Sequence, residues 1–296
     1  MFADRDRLHI ALQKSGRLSD RSRDLLSRAG LRIQDGKNRL TARVENFPID
    51  LMFVRDDDIP TLVNDGVCEF GVVGENVLRE FELGRETMRI ETVAKLGFGS
   101  CTLKIAAPIG FDYAGAQSLA GQRIATSYPR ITTQWLADQG VEAEVVEMNG
   151  AVELAPKLGI AGFICDLVST GQTLEANNLA AVDLVMESEA VLVRAKREFP
   201  AEMEELSENI LTRIDGVLAS AGSKYILLNA PGEALGEIQR ILPGAGSPTV
   251  TPLHGKPGQF AVHAVCQESV FWETLQELKA AGGSAILVMP IEKMMA

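Results

Sequence analysis

Short apolar runs alternate with amphipathic stretches through the first 220 positions. Leu8-His9-Ile10-Ala11-Leu12 reads as a buried strand, and Asp20 to Ala29 as a helix stopped at Gly30. Ile49 to Val54 is a second strand, followed by a helix from Asp56 to about Val63. Phe70-Gly71-Val72-Val73 is a third, with a helix opening near Glu75. The βαβαβ rhythm predicts a mostly parallel sheet with helices on both faces. It then restarts: Cys101–Ala107 and Arg123–Thr126 as strands, a helix over 132–139, a strand over 143–147, a helix over 152–158 and a strand over 162–168. An extended segment over 181–194 and a charged helix over about 200–218 close the series. Two similar α/β lobes crossed more than once by the chain would enclose a cleft, with ligands at the carboxyl ends of the strands.

The style changes near 219–223. Strands over 224–228, 249–253, 259–265 and 285–290, with helices over 233–241 and 269–281, follow the order βαββαβ of a ferredoxin-like module. The expected domains are therefore 1–220, with lobe I about 1–95 plus 183–220 and lobe II about 96–182, and a separate module over 221–296.

Charge narrows the partners. The 296 residues carry a formal net charge of −11, which argues against nucleic acid or an anionic membrane surface, since both need a cationic face. A small anion in a locally basic pocket stays open. No apolar run reaches transmembrane length, and the first seven residues alternate charges where a secretory signal needs an apolar core. A cytoplasmic address is expected. Four scattered cysteines and three scattered histidines give no zinc or disulfide pattern.

Candidate chemistry sits at strand ends. Ile164-Cys165-Asp166-Leu167-Val168 runs into Ser169-Thr170-Gly171-Gln172-Thr173 ahead of Leu174-Glu175-Ala176. Backbone amides at a helix start, with small hydroxyls and a glycine that admits close approach, suit a phosphate. A plain Ser/Thr helix cap reads equally well. Lys14 and Arg17 flank Gly16 after the first strand, as phosphate-binding cations or as a solvated loop. Arg55 ends another strand beside the cleft, whereas the acids of Asp56-Asp57-Asp58 suit a helix first turn. Thr126 and Tyr128 offer a hydroxyl or a ring, Glu153 a carboxylate or a helix cap, and Gly74 a place for a flat ligand to approach the backbone. No Gly-x-Ser-x-Gly elbow, dinucleotide fingerprint or P-loop appears.

Gln13-Lys14-Ser15-Gly16-Arg17-Leu18, Arg55-Asp56-Asp57-Asp58-Ile59-Pro60 and 164–174 together resemble the ATP phosphoribosyltransferase family. Ser247-Pro248-Thr249, Phe271-Trp272-Glu273 and 286–294 resemble its long form, with a regulatory domain. The resemblance spans the chain. It implies two lobes of type II periplasmic-binding-protein kind, an ACT-like C-terminal domain, ATP and 5-phosphoribosyl 1-pyrophosphate as substrates, Mg²⁺, inhibition by histidine, and homo-oligomers (dimers and hexamers). Asp166 then matches the acid before the phosphoribosyl loop, and Ser169, Thr170, Gly171, Gln172 and Thr173 the loop itself. Lys14, Arg17 and Arg55 match phosphate-facing positions, and Glu153 lies among the catalytic set. Asp166 is the implied metal contact, and Ser247, Thr249 and Leu253 the implied histidine site. Ala151 stands where a serine is expected before Val152-Glu153, and Gly162-Phe163 departs from the usual strand entry. The rivals are a prephenate dehydratase, whose Thr-Arg-Phe signature is replaced by Thr126-Ser127-Tyr128, and a non-enzymatic small-molecule sensor.

Overall fold

The computed structural model describes residues 6–34, 40–169, 171–242 and 248–295, the side chains of Val270 and Phe271 excepted. It divides into two compact units: Met1–Ser27 with Leu31–Glu205, and Arg28–Gly30 with Leu206–Ala296.

In the first unit, lobe I opens with β1 (Leu8–Gln13), α1 (Ser19–Arg28), β2 (Thr41–Arg43) and β3 (Ile49–Val54). It continues with α2 (Ile59–Asn64), β4 (Phe70–Gly74), α3 (Glu75–Leu83) and β5 (Ile90–Lys95). Lobe II holds β6 (Cys101–Pro108), β7 (Arg123–Thr126), α4 (Pro129–Asp138), β8 (Glu144–Glu147), β9 (Phe163–Val168), α5 (Gln172–Ala176) and β10 (Leu179–Ser188). The chain then returns to lobe I as β11 (Ala190–Ala195) and leaves through α6 (Ala201–Ala219).

The two sheets share one plan. In lobe I the order is β2-β3-β1-β4-β11-β5, and in lobe II β10-β6-β9-β7-β8. In each, the strand arriving from the other lobe (β11 or β6) is inserted antiparallel beside the parallel strands of its host. This reciprocal insertion is the type II periplasmic-binding-protein arrangement. It corrects the expected mostly parallel sheet: only β3-β1-β4 and β8-β7-β9 pair parallel. β2 and β5 escape the pattern because they are short or half-exposed and show no sustained apolar run.

Two further boundaries move. The extended 181–194 stretch is two strands in different sheets, and lobe II runs to Ser188 rather than 182, because Leu179–Ser188 pairs with β6 along its whole length. The helix expected over 152–158 is one 3-10 turn, Val152–Leu154. Ala151 enters it in the left-handed region at φ 50°, and Pro156 supplies no amide for a continuing helix. By its packing, the chain from Leu206 onward groups with the C-terminal residues. The later part of α6 joins them through Met294 N–H to Gly216 O (2.9 Å) and Ser220 Oγ to Glu292 O (2.9 Å).

The second unit completes a four-stranded antiparallel sheet, β13-β14-β12-β15, from β12 (Ser223–Pro231), β13 (Thr249–Pro252), β14 (Gln259–Gln267) and β15 (Ser284–Pro290). The helices α7 (Leu235–Ile241) and α8 (Glu268–Ala280) give the order βαββαβ. Ile226, Leu228, Val262 and Ala264, alternating along β12 and β14, pack with Ile238, Ile241 and Leu278 in its core.

Candidate active site

Lobe I contributes two cationic corners. After β1 the chain turns sharply: Lys14 N–H bonds Val54 O (2.8 Å), Gln13 Oε1 accepts from Leu18 N–H (3.1 Å), and Gln13 Nε2 donates to Asp56 Oδ2 (3.2 Å). Gly16 lies at φ 110°, where a Cβ would fall 2.9 Å from Gln13 Nε2, so the turn needs glycine twice over. Lys14 and Arg17 are left exposed, and the Arg17 guanidinium reaches Cys101 Sγ in lobe II at 3.3 Å. Arg55, also exposed, precedes the 3-10 turn Asp56–Asp58. Burial, then Asp56 and Asp58, raise the Asp57 carboxyl above its ordinary value, and Arg55 partly opposes them.

Lobe II contributes the acid and the loop. Asp166 is half-buried on β9, its Oδ1 accepting from Leu167 N–H (2.7 Å). Burial raises its pKa, the Leu167 amide works against that, and the charge of Glu153 adds to it. Gly171 occupies the left-handed region at φ 78° with open space around it, and Ser169, Gln172 and Thr173 are exposed. Leu174 anchors the far end, packing with Ala106, Ala125, Val152 and Ile164. Thr170 lies outside the described residues. Because α5 has only five residues, its dipole adds little, and the loop's own amides and hydroxyls carry any anion recognition.

Two of the expected contacts also have structural roles. Thr126 is fully buried, with its Oγ1 accepting from Tyr128 N–H (2.9 Å), so its hydroxyl serves the turn. At Gly74 a Cβ would lie 2.5 Å from Asn76 Oδ1, so glycine makes room for that amide. Tyr128 packs against the cores of both lobes, and its hydroxyl accepts from Asn76 Nδ2 (2.9 Å).

Sequence reasoning misses the floor of the cleft. A cavity of about 710 Å³ opens where the chain crosses between the lobes, lined by Glu75, Lys95, Cys101, Ser169, Ser188 and Glu189 among others. Lys95 Nζ lies 2.9 Å from Glu75 Oε1 and 3.5 Å from Glu189 Oε1, tying both crossings together. The start of the 169–173 loop thus borders a hollow of ligand size.

The fold and strand-end groups agree with what the chain matches. Residues 55–216, more than half of it, match the family described as ATP phosphoribosyltransferase, and residues 221–293 match the C-terminal domain of HisG. An ATP phosphoribosyltransferase of Maricaulis maris (strain MCS10) is 51% identical over 98% of this chain and 99% of its own. The chain belongs to the ATP phosphoribosyltransferase family. It is a transferase of histidine biosynthesis, which sets aside the dehydratase and sensor alternatives. Among solved structures, the ATP phosphoribosyl transferase (HisG:HisZ) complex from Thermotoga maritima matches with a TM-score of 0.61 and 25% identity. That match covers 72% of this chain and 98% of the other.

Within this family framework, the C-terminal candidates are spread along β13 and its exit. Thr249 is exposed opposite His263, and Leu253 N–H bonds Gln259 O (2.9 Å). Ser247 lies outside the described residues. The Tyr225 hydroxyl is 2.5 Å from His263 Nδ1 on the neighbouring strands. No group of three or more His, Cys, Asp or Glu among the described residues is placed to hold a metal ion, and no described helix is long and apolar enough to cross a membrane.

Proposed function

We propose that ATP and 5-phosphoribosyl 1-pyrophosphate meet in the cleft between the lobes, giving 1-(5-phosphoribosyl)-ATP and pyrophosphate. One observation carries this placement: the glycine-containing loop at the end of β9 borders the inter-lobe cavity, and Arg17 reaches across to Cys101 on the same cavity wall. Adenine N1 attacks ribose C1, the bond from C1 to the pyrophosphate oxygen breaks, and its electron pair leaves with pyrophosphate. Such a reaction needs no protein nucleophile. It needs alignment of the two substrates and neutralisation of the leaving group.

The residues divide accordingly. Ser169, Thr170, Gly171, Gln172 and Thr173 hold the 5′-phosphate. Lys14, Arg17 and Arg55 meet phosphates of ATP or the departing pyrophosphate. Asp166 and Glu153 present carboxyl groups where positive charge develops on the ribose. Mg²⁺ fits this donor set, because it is usually held by one or two carboxylates together with substrate phosphates rather than by a protein cage. Asp166 would hold it, and the ion would supply charge neutralisation to the pyrophosphate.

Thr173→Val tests the loop. Removing one hydroxyl while keeping its shape is expected to raise KM for 5-phosphoribosyl 1-pyrophosphate about tenfold and to leave KM for ATP unchanged, the scale of one hydrogen bond to a charged group. Unchanged KM for both substrates in steady-state assays would remove Thr173 from the site.

The C-terminal unit is read as the histidine sensor, with Thr249 and Leu253 at the site, and its chain as a homo-oligomer in the cytoplasm. The exposed apolar run Leu287-Val288-Met289 on the edge strand β15 supports association with other copies. Pyrophosphate release from the full-length protein should fall on adding histidine. Thr249→Glu should blunt that response at least tenfold while leaving the uninhibited rate intact, as expected when an uncompensated charge enters a ligand pocket. Equal inhibition of both proteins would exclude this position.

A further inference from the structure

Where the chain returns from lobe II, one residue stands between two ladders. Ser188 pairs with Cys101 at the end of the lobe II sheet. Ala190 is already bonded into lobe I, its N–H to Phe98 O and its carbonyl to Leu96 N–H, both at 2.9 Å. Glu189 lies between them, opposite the outgoing crossing. Glu75 of α3 holds its backbone, donating N–H to Glu189 O (2.9 Å) and accepting from Glu189 N–H at Oε2 (3.3 Å). The Glu189 carboxylate accepts from Gly97 N–H (3.0 Å) and meets Lys95 Nζ (3.5 Å).

Lys95 is the hub of these contacts. It is the last residue of β5, and its ammonium also lies 2.9 Å from Glu75 Oε1, so one cation stands between two carboxylates. Glu75, chiefly through that hydrogen bond, raises the Lys95 pKa and keeps the amine charged. Gly97 lies at φ 67° with open space where a side chain would stand, so no side-chain packing stiffens the outgoing crossing there. The clamp therefore rests on charge. Glu75, Lys95, Ser188 and Glu189 line the same cavity as Cys101 and Ser169 of lobe II, so whatever fixes the crossings sets the width of that cavity.

We infer that Lys95 is a positioning residue: by drawing the Glu75 and Glu189 carboxylates together, it pins the return crossing to lobe I and sets the spacing of the two lobes. Its effect on the reaction rests on the reading that both substrates meet in the cleft between them. Without the ammonium, two carboxylates face each other at the pivot, and their repulsion loosens it. A transition state that needs groups from both lobes in register is then reached less often.

Lys95→Met is expected to lower kcat about tenfold and to change either KM by less than about threefold, since the phosphate-holding groups stay in place. The Lys95 side chain is 65% exposed, so methionine there leaves the fold intact, which thermal melting checks. Lys95→Arg keeps the charge and should stay within about threefold of the parent kcat. Lys95→Met combined with Glu189→Gln should regain most of the loss, because like charges no longer face each other. A lysine acting directly on substrate phosphate would gain nothing from that second change. Lobe spacing is read by pulsed electron-spin distances between nitroxides on Asp24→Cys in α1 and Ala137→Cys in α4, both exposed sites, the four native cysteines being buried. The distance distribution should broaden in Lys95→Met and narrow again in the double variant. Unchanged distances in Lys95→Met, or a kcat loss that Glu189→Gln does not relieve, would overturn the inference. Broadened distances with the parent kcat would leave the clamp standing and sink the cleft reading instead.

Discussion

Arg17→Ala is expected to lower kcat/KM by about 100-fold or more, the loss seen when one preorganised donor is taken from a charge-developing transition state. The protein carries a net charge of −11, so its general field repels both polyanionic substrates, and individual cations at the cleft carry the attraction. Arg17 is well prepared for this. Gly16 and Gln13 fix its turn, and its described side-chain contact is the sulfur of Cys101, a weak acceptor that leaves donors of the guanidinium for phosphate oxygens. Arg17→Lys should recover charge but not the two-pronged geometry, and so restore only part of the activity. Cys101→Ala serves as a control and should leave the kinetics within about threefold, since it removes a contact of only weak hydrogen-bonding strength. Steady-state rates with each substrate varied, and pyrophosphate affinity in the reverse direction, check this. An Arg17→Ala enzyme with wild-type pyrophosphate affinity and kcat would displace Arg17 from the site.

What the sequence makes legible is local. β1, β3 and β4 announce themselves because buried strands need uninterrupted apolar runs. Lys14, Arg55 and the 169–173 loop stand out because polar residues directly after such runs fall at the carboxyl edge of a sheet. The rest depends on pairings far apart in the chain. Asn76 looks like any helix-opening residue, and its partner Ser188 is 112 positions away. The cavity walls come from both crossings, and nothing in the sequence near Lys95 announces that it will meet Glu75 and Glu189. Thr126 and Gly74 are ambiguous for the same reason: a hydroxyl or a glycine at a strand end serves a ligand or the fold depending on a neighbour's side chain. The antiparallel insertions are hidden too, since strand direction is set by where the chain returns and not by its own residues.

Arg197→Met is the substitution expected to cost the most stability. Glu69 has no exposed surface and is the only charged side chain among the described residues to be so enclosed. Its carboxylate accepts from Arg197 Nη2 at 2.6 Å and from His9 N–H at 2.7 Å, joining the start of β1 to the segment entering β4 and to the segment after β11. Removing the arginine leaves a desolvated carboxylate with one amide partner, which costs roughly 3–5 kcal/mol for a buried pair. The lower figure applies here because the Arg197 side chain is 35% exposed, so solvent already shares its charge. For a unit of this size, about 3 kcal/mol corresponds to a fall of about 6–12 °C in Tm. Glu69→Gln should be milder, because a neutral amide still accepts from His9 N–H and leaves the cation a route to solvent. Glu69→Leu combined with Arg197→Met should regain much of the loss, because the cost lies in the unpaired charge and not in the missing attraction. The pair binds the opening residues of β1, whereas Lys14 and Arg17 follow its other end. Below the new Tm, kcat should therefore match that of the parent enzyme. A melting shift under about 2 °C for Arg197→Met, less than the change expected from 1 kcal/mol, would show that water or another group already satisfies Glu69.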